Sequence, residues 1–135
     1  MKLVLDTNVL IAAFISHGTC HELFEYVIQH HTLITSQFIV DEFVGKMEQK
    51  FQFEPAAVQA ATQLLHERME VVTPEKFSTA ISRDPDDDVV LGTAVAGRCD
   101  CLISGDNDLL DLQSYQDIPI IPPNAFWEFE AEFLT

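Results

Sequence analysis

The stretch Ser82-Arg83-Asp84-Pro85-Asp86-Asp87-Asp88, continuing through Val89 to Arg98 and on to Cys101-Leu102-Ile103-Ser104-Gly105-Asp106, decides how this chain is read. Three consecutive aspartates open a segment with the character of a helix. A short apolar run then reads as a buried strand, and it stops on another acid. Solubility alone does not call for so many carboxylates in so short a space. They read as half of an acidic metal site, whose other half must lie upstream.

Outward from that stretch, strands and helices alternate. Lys2 to Leu5 is an apolar strand bounded by Asp6-Thr7-Asn8. Val9 to Ile15 continues as a helix with Thr7 or Asn8 as its cap, and Ser16-His17-Gly18 breaks it. Cys20 to Gln29 carries the stripe Leu23, Phe24, Val27 and Ile28 of an amphipathic helix. Thr32 to Thr35 is a strand, and Ser36 caps a helix over Phe38 to Phe51. Glu54-Pro55 opens another helix ending near Met69, with a strand at Glu70 to Thr73. After the acidic helix and the Cys101 to Ser104 strand, Ile118 to Ile121 is a last strand. Phe126, Phe129 and Phe133 mark a C-terminal helix with its aromatic stripe toward the core.

This order predicts one α/β domain over residues 1–135: a three-layer α/β/α sandwich with a mostly parallel central sheet. In such a sheet the carboxyl ends of strands and the amino ends of the following helices share one rim, where ligand sites lie. Asp6, Glu42, the Asp86 to Asp88 run and Asp106 all fall on it. Taken singly, each acid has a plainer use. Asp6 can cap a helix, Glu42 or its neighbour Asp41 can be a surface acid, the aspartate run can serve a helix dipole, and Asp106 and Asp108 can be turn or cap residues.

The remaining composition sets bounds. With 22 acids against 7 bases the formal net charge is −15, which repels nucleic acid and anionic membrane at long range. The partner is therefore basic or neutral, or else bound cations reverse the sign locally. The N-terminus lacks a signal peptide's apolar region, and no apolar run is long enough to span a bilayer. Three cysteines without C-x-x-C spacing fit a reduced, cytoplasmic setting and disfavour zinc. Carboxylates gathered on one rim repel each other, a conflict that a hard cation such as Mg²⁺ or Mn²⁺ resolves. A metal held by acids suits phosphodiester hydrolysis. No Ser-His-Asp or Cys-His arrangement competes clearly for the nucleophile role, and the Asp6-Thr7-Asn8 segment lacks the second acid of an Asp-x-Asp phosphatase.

Four segments together resemble the PIN-domain family, in particular the small prokaryotic PIN proteins counted as VapC-like toxins of toxin–antitoxin pairs. They are Leu3-Val4-Leu5-Asp6-Thr7-Asn8-Val9-Leu10, Val40-Asp41-Glu42-Phe43, Asp84-Pro85-Asp86-Asp87-Asp88 and Leu102-Ile103-Ser104-Gly105-Asp106-Asn107-Asp108-Leu109-Leu110. The first and last are the more specific. The resemblance implies a Mg²⁺- or Mn²⁺-dependent endoribonuclease with Asp6, Glu42, Asp88 and Asp106 as catalytic metal ligands. Within the run, Asp88 is preferred for its spacing from Asp106, and Asp86 and Asp87 are alternatives. Asp108 is a further candidate ligand, and Thr7, Asn8 and Ser104 are groups that orient carboxylates or water. An RNA substrate, an antitoxin protein and a homodimer are the partners implied.

Lys46 and Lys50 follow Glu42 at helical spacing and, with Arg83, are candidates to touch an RNA backbone. Ordinary surface lysines are the equal alternative. His17 and His21, four residues apart but separated by Gly18, read as surface histidines, and Cys99 and Cys101 as buried thiols. Trp127 and Leu134 fall partly off the aromatic stripe, and one of them suits a dimer contact. Against the nuclease reading stands a catalytically weak or inactive PIN-like module that binds RNA or protein.

Overall fold

The computed structural model describes residues 1–135. Its elements are β1 (Lys2–Leu5), α1 (Thr7–Ile15), α2 (Thr19–His30), β2 (Thr32–Thr35), α3 (Gln37–Gln49), α4 (Pro55–Arg68), β3 (Met69–Val71), α5 (Pro85–Ala96), β4 (Cys101–Ile103), α6 (Asn107–Leu110), β5 (Ser114–Tyr115), β6 (Ile118–Ile121) and α7 (Phe126–Phe133). The sheet order is β3-β2-β1-β4-β6-β5, with every pairing parallel except β5 on β6. The expected α/β/α sandwich with a mostly parallel sheet is therefore what the chain forms.

The short apolar runs become central strands because a parallel sheet is covered on both faces. Leu3, Val4, Leu5, Leu33, Ile34, Cys101, Leu102 and Ile103 are all essentially without exposure. Connections from β1 to β2 and from β2 to β3 step one way across the sheet, and the connection from β3 to β4 steps back past β1. Right-handed crossovers then put α1 to α4 on one face and α5 on the other. Phe14 of α1 packs edge-on to Phe43 of α3 at 5.3 Å between ring centroids, and α5 lies on β1, β2 and β4. The chain leaves β1 and β4 in opposite directions, so the crevice at their carboxyl ends is the sheet's topological switch point.

Residues 72 to 84, between β3 and α5, form a strap without regular structure. A close backbone contact at Gly92 is one of those that fasten it to α5. The Glu75 N–H donates to the Gly92 carbonyl at 2.9 Å, and a Cβ on Gly92 would lie 2.2 Å from the Glu75 carbonyl oxygen. Only glycine admits this approach. Gly92→Ala should therefore cost about 1–3 kcal/mol of overpacking, read as a lower Tm in a thermal melt followed by circular dichroism.

Several boundaries differ from the sequence reading. Of the candidate caps Asp6, Thr7 and Asn8, Asp6 caps α1, its side chain accepting from the Thr7 N–H. Asp106, not Asp108, caps α6. The third strand comes slightly earlier than expected, where it can pair with β2. The β5–β6 hairpin was not anticipated, because its two-residue turn is Gln116-Asp117 rather than a glycine-bearing pair. Both residues adopt left-handed φ, 49° and 65°, as a type I′ turn requires. On α7, Phe126 is fully buried but Phe133 is 47% exposed, so the aromatic stripe runs past the edge of the core. α7 is held to α2 by Glu130, which accepts from Tyr26 Oη at 2.7 Å and lies 2.5 Å from His31 Nε2.

Candidate metal centre

At the switch point, β1 ends on Asp6 and β4 on Ser104-Gly105-Asp106. Asp6 is 6% exposed, and Ser104 is fully buried beside it. The Ser104 hydroxyl donates to Asp6 Oδ2 at 2.8 Å and accepts from the Asp106 N–H at 3.0 Å. One serine thus sets the relative positions of the two acids. The Thr7 N–H donates to Asp6 Oδ1 at 2.7 Å, and Thr7 Oγ1 donates to Glu42 Oε1 at 2.5 Å. Thr7 therefore ties the first acid to the glutamate on α3.

These acids surround a cavity of about 70 Å³, lined also by Asn8, Lys46, Asp84, Asp86 and Asp87. Of the expected set, Asp6, Glu42 and Asp106 meet there and Asp88 does not. Successive helix residues point about 100° apart, so the three aspartates cannot share one direction. Asp86 is exposed at the mouth, and Asp87 turns inward and is only 6% exposed. Asp88 turns toward the strap, where it accepts from the Ile81 N–H at 3.0 Å and the Ser82 N–H at 2.8 Å. The expectation for Asp88 is corrected on this geometry: its carboxylate is committed to the chain before α5, and Asp87 takes the inward position. Asp84 also lines the cavity while capping α5 through the Asp86 N–H. Asp84 is not among the expected site residues, although an acid just before the proline that opens a helix is a recognisable cap signal.

Asp108 stands close by. Carboxylate oxygens of Asp87, Asp106 and Asp108 lie within 4.8 Å of one another. Arg83 Nη2 donates to Asp108 Oδ1 at 2.6 Å, an ion pair in which the guanidinium stays largely exposed at the edge of the site. Lys46 does reach the cavity, its Nζ donating to Asn8 Oδ1 at 3.2 Å. Lys50 does not line the cavity; its Nζ lies 5.5 Å from the centre of the Phe51 ring.

The electrostatics follow from burial. Desolvation pushes the Asp6 carboxyl above its ordinary range, and the charges of Asp106 and Glu42 add to this, while hydrogen bonds from Ser104 and Thr7 pull the other way. Asp87 is raised to about 7, first by burial and then by the charges of Asp106, Asp6 and Asp84. Almost no cationic side chain balances the cluster. Backbone N–H groups and the N-termini of α1 and α5 supply the compensating field. An oxygen-only donor set of mutually repelling carboxylates fits a hard divalent cation.

Comparison with known proteins agrees with this architecture. A family model described as PIN domain matches residues 2–108. Among solved structures, the chain is similar to VapBC2 from Rickettsia felis, a structure bound to a DNA fragment from its promoter. The TM-score is 0.61 at 16% identity, covering 89% of this chain and 97% of that one. It is also similar to VapBC-1 from nontypeable Haemophilus influenzae, with a TM-score of 0.61 at 19% identity, covering 92% and 99%. No curated protein matches the sequence.

Proposed function

The chain belongs to the PIN-domain family, and from that membership we propose that it is a metal-dependent endoribonuclease, the toxin of a toxin–antitoxin pair. The observation that carries the proposal is the meeting of Asp6, Glu42, Asp87 and Asp106 around one small cavity at the switch point. An antitoxin partner is supported by the likeness to the two VapBC structures. No helix is long and apolar enough to cross a membrane.

Mg²⁺ or Mn²⁺ would be held by those four carboxylates, with Asp108 at the edge of the set. The ion, when bound, would supply Lewis acidity and a more acidic water beside the scissile phosphodiester. The protein's own part is placement. Ser104 and Thr7 fix Asp6 and Glu42 so that neither must reorganise on loading. With its carboxyl raised to about 7, Asp87 is about half protonated near neutral pH, and loading would release that proton. Lys46, at the rim, is placed to meet an RNA phosphate that the surrounding acids would otherwise repel.

The test is cleavage of a panel of single-stranded and hairpin RNAs with Mg²⁺ or Mn²⁺. Asp6→Asn should lower cleavage by on the order of 100-fold or more, since it removes one of the two buried acids of the set. Retained activity in that variant would remove Asp6 from the machinery. Tight RNA binding with no metal-dependent turnover would favour the inactive binding module instead.

A further inference from the structure

A cavity of about 70 Å³ holds an ion and little else, so any substrate must lie outside it. A second cavity, of about 520 Å³, adjoins the first and shares Asn8 and Asp106 with it. Its size is that of a small-molecule site. Val9, Cys20 and Pro123 give it apolar walls, and Asn8, Asn107 and Asp108 give it a polar edge.

We propose that this groove seats an unpaired nucleobase next to the bond cleaved, an inference that rests on the nuclease reading above. The lining excludes the alternatives. Two carboxylates, Asp106 and Asp108, face the groove, and no lysine or arginine lines it. Arg83 offsets the charge of Asp108 from outside the lining, but Asp106 keeps the groove itself unfavourable to a phosphate. A neutral base has flat apolar faces for Val9 and Pro123 and an edge of N–H donors for carboxylate and amide oxygens. Asn8 offers the complementary group. Lys46 occupies its Oδ1, which leaves its amide nitrogen to donate to a base carbonyl. The same lysine thereby links the groove to the acid cavity, so that a phosphate at the cavity mouth and a base in the groove belong to one nucleotide step.

Cys20 makes the proposal measurable. It is partly exposed in the groove, whereas Cys99 and Cys101 are buried. Burial raises the Cys20 thiol, so alkylation with iodoacetamide is best run at mildly alkaline pH and read by mass spectrometry. At millimolar concentration, at least one of guanosine, adenosine, cytidine and uridine should slow Cys20 alkylation by about threefold, the effect of filling two thirds of the sites. Ribose and inorganic phosphate should not. Asn107→Ala should abolish the protection and, in cleavage assays, alter the base preferred beside the cut. If no nucleoside protects, or phosphate protects equally, the base site is wrong. Protection by a nucleoside in a protein that cuts no RNA would sink the nuclease reading and leave the base site standing. Cleavage without nucleoside protection, and with an unchanged base preference in Asn107→Ala, would do the reverse.

Discussion

Asp87→Asn should lower Mn²⁺-supported RNA cleavage by on the order of 100-fold or more, while its neighbour Asp88→Asn leaves the rate within a few-fold of wild type. The two substitutions are chemically identical and adjacent in sequence. They differ because α5 turns Asp87 into the acid cavity and Asp88 onto the strap. The cost of Asp88→Asn should appear as stability instead. Its carboxylate accepts from two backbone N–H groups, and hydrogen bonds to a charged acceptor are worth about 1.5–3 kcal/mol each. Asparagine keeps one acceptor oxygen, so part of that is lost and Tm falls. Cleavage kinetics and thermal melts of both variants decide the matter. A large kinetic loss in Asp88→Asn with Asp87→Asn near wild type would restore the alignment first expected from the spacing to Asp106.

Without divalent ions, Asp87→Asn should melt at a higher temperature than wild type at pH 7 or above, by roughly 3 °C or more, the shift that about 1 kcal/mol produces in a chain of this size. The gap should shrink as pH is lowered toward 4. The sign follows from linkage. Asp87 holds its proton up to about 7 in the folded protein but only to its ordinary value, 3.8, when unfolded. Between those values the folded state binds more protons, so its stability falls as pH rises. Asp6, raised by burial, acts in the same direction in both proteins; because its charge is among those that raise Asp87, removing the Asp87 charge eases it as well and widens the gap. Asparagine mimics the protonated carboxyl and removes the Asp87 part of this loss. Adding Mn²⁺ should reverse the ranking. Saturating wild type at about 100 times its dissociation constant adds about 2.7 kcal/mol, and the variant should gain far less. An asparagine variant less stable than wild type without metal, at every pH, would show that Asp87 is not under electrostatic stress.

Much of this was legible in the sequence, for a physical reason. Parallel strands are buried on both faces, so Lys2 to Leu5 and Cys101 to Ile103 announce themselves as unbroken apolar runs, and the acids that end them are conspicuous. The rim shared by Asp6, Glu42 and Asp106 then follows from topology alone. What was not legible is any choice that packing makes between equivalent residues. A run of three aspartates has no periodicity, so only the docking of α5 decides which one faces inward. The strap's attachment at Gly92 depends on backbone proximity between residues remote in sequence. The β5–β6 hairpin was hidden because Gln116 and Asp117 adopt left-handed backbone without the glycine that normally signals it. Phe133 kept the spacing of a core residue after the core had ended.

The acid cavity is held open by main-chain donors and by the buried hydroxyls of Ser104 and Thr7 more than by lysines or arginines. Such a cage cannot be collapsed by screening, and it cannot easily widen, because Asp6 and Asp84 are each anchored to the first turn of a packed helix. Ionic radius, more than charge, should therefore decide which divalent ion it accepts: calcium, with its longer bonds and larger shell, would have to push α1 and α5 apart, and magnesium or manganese would not.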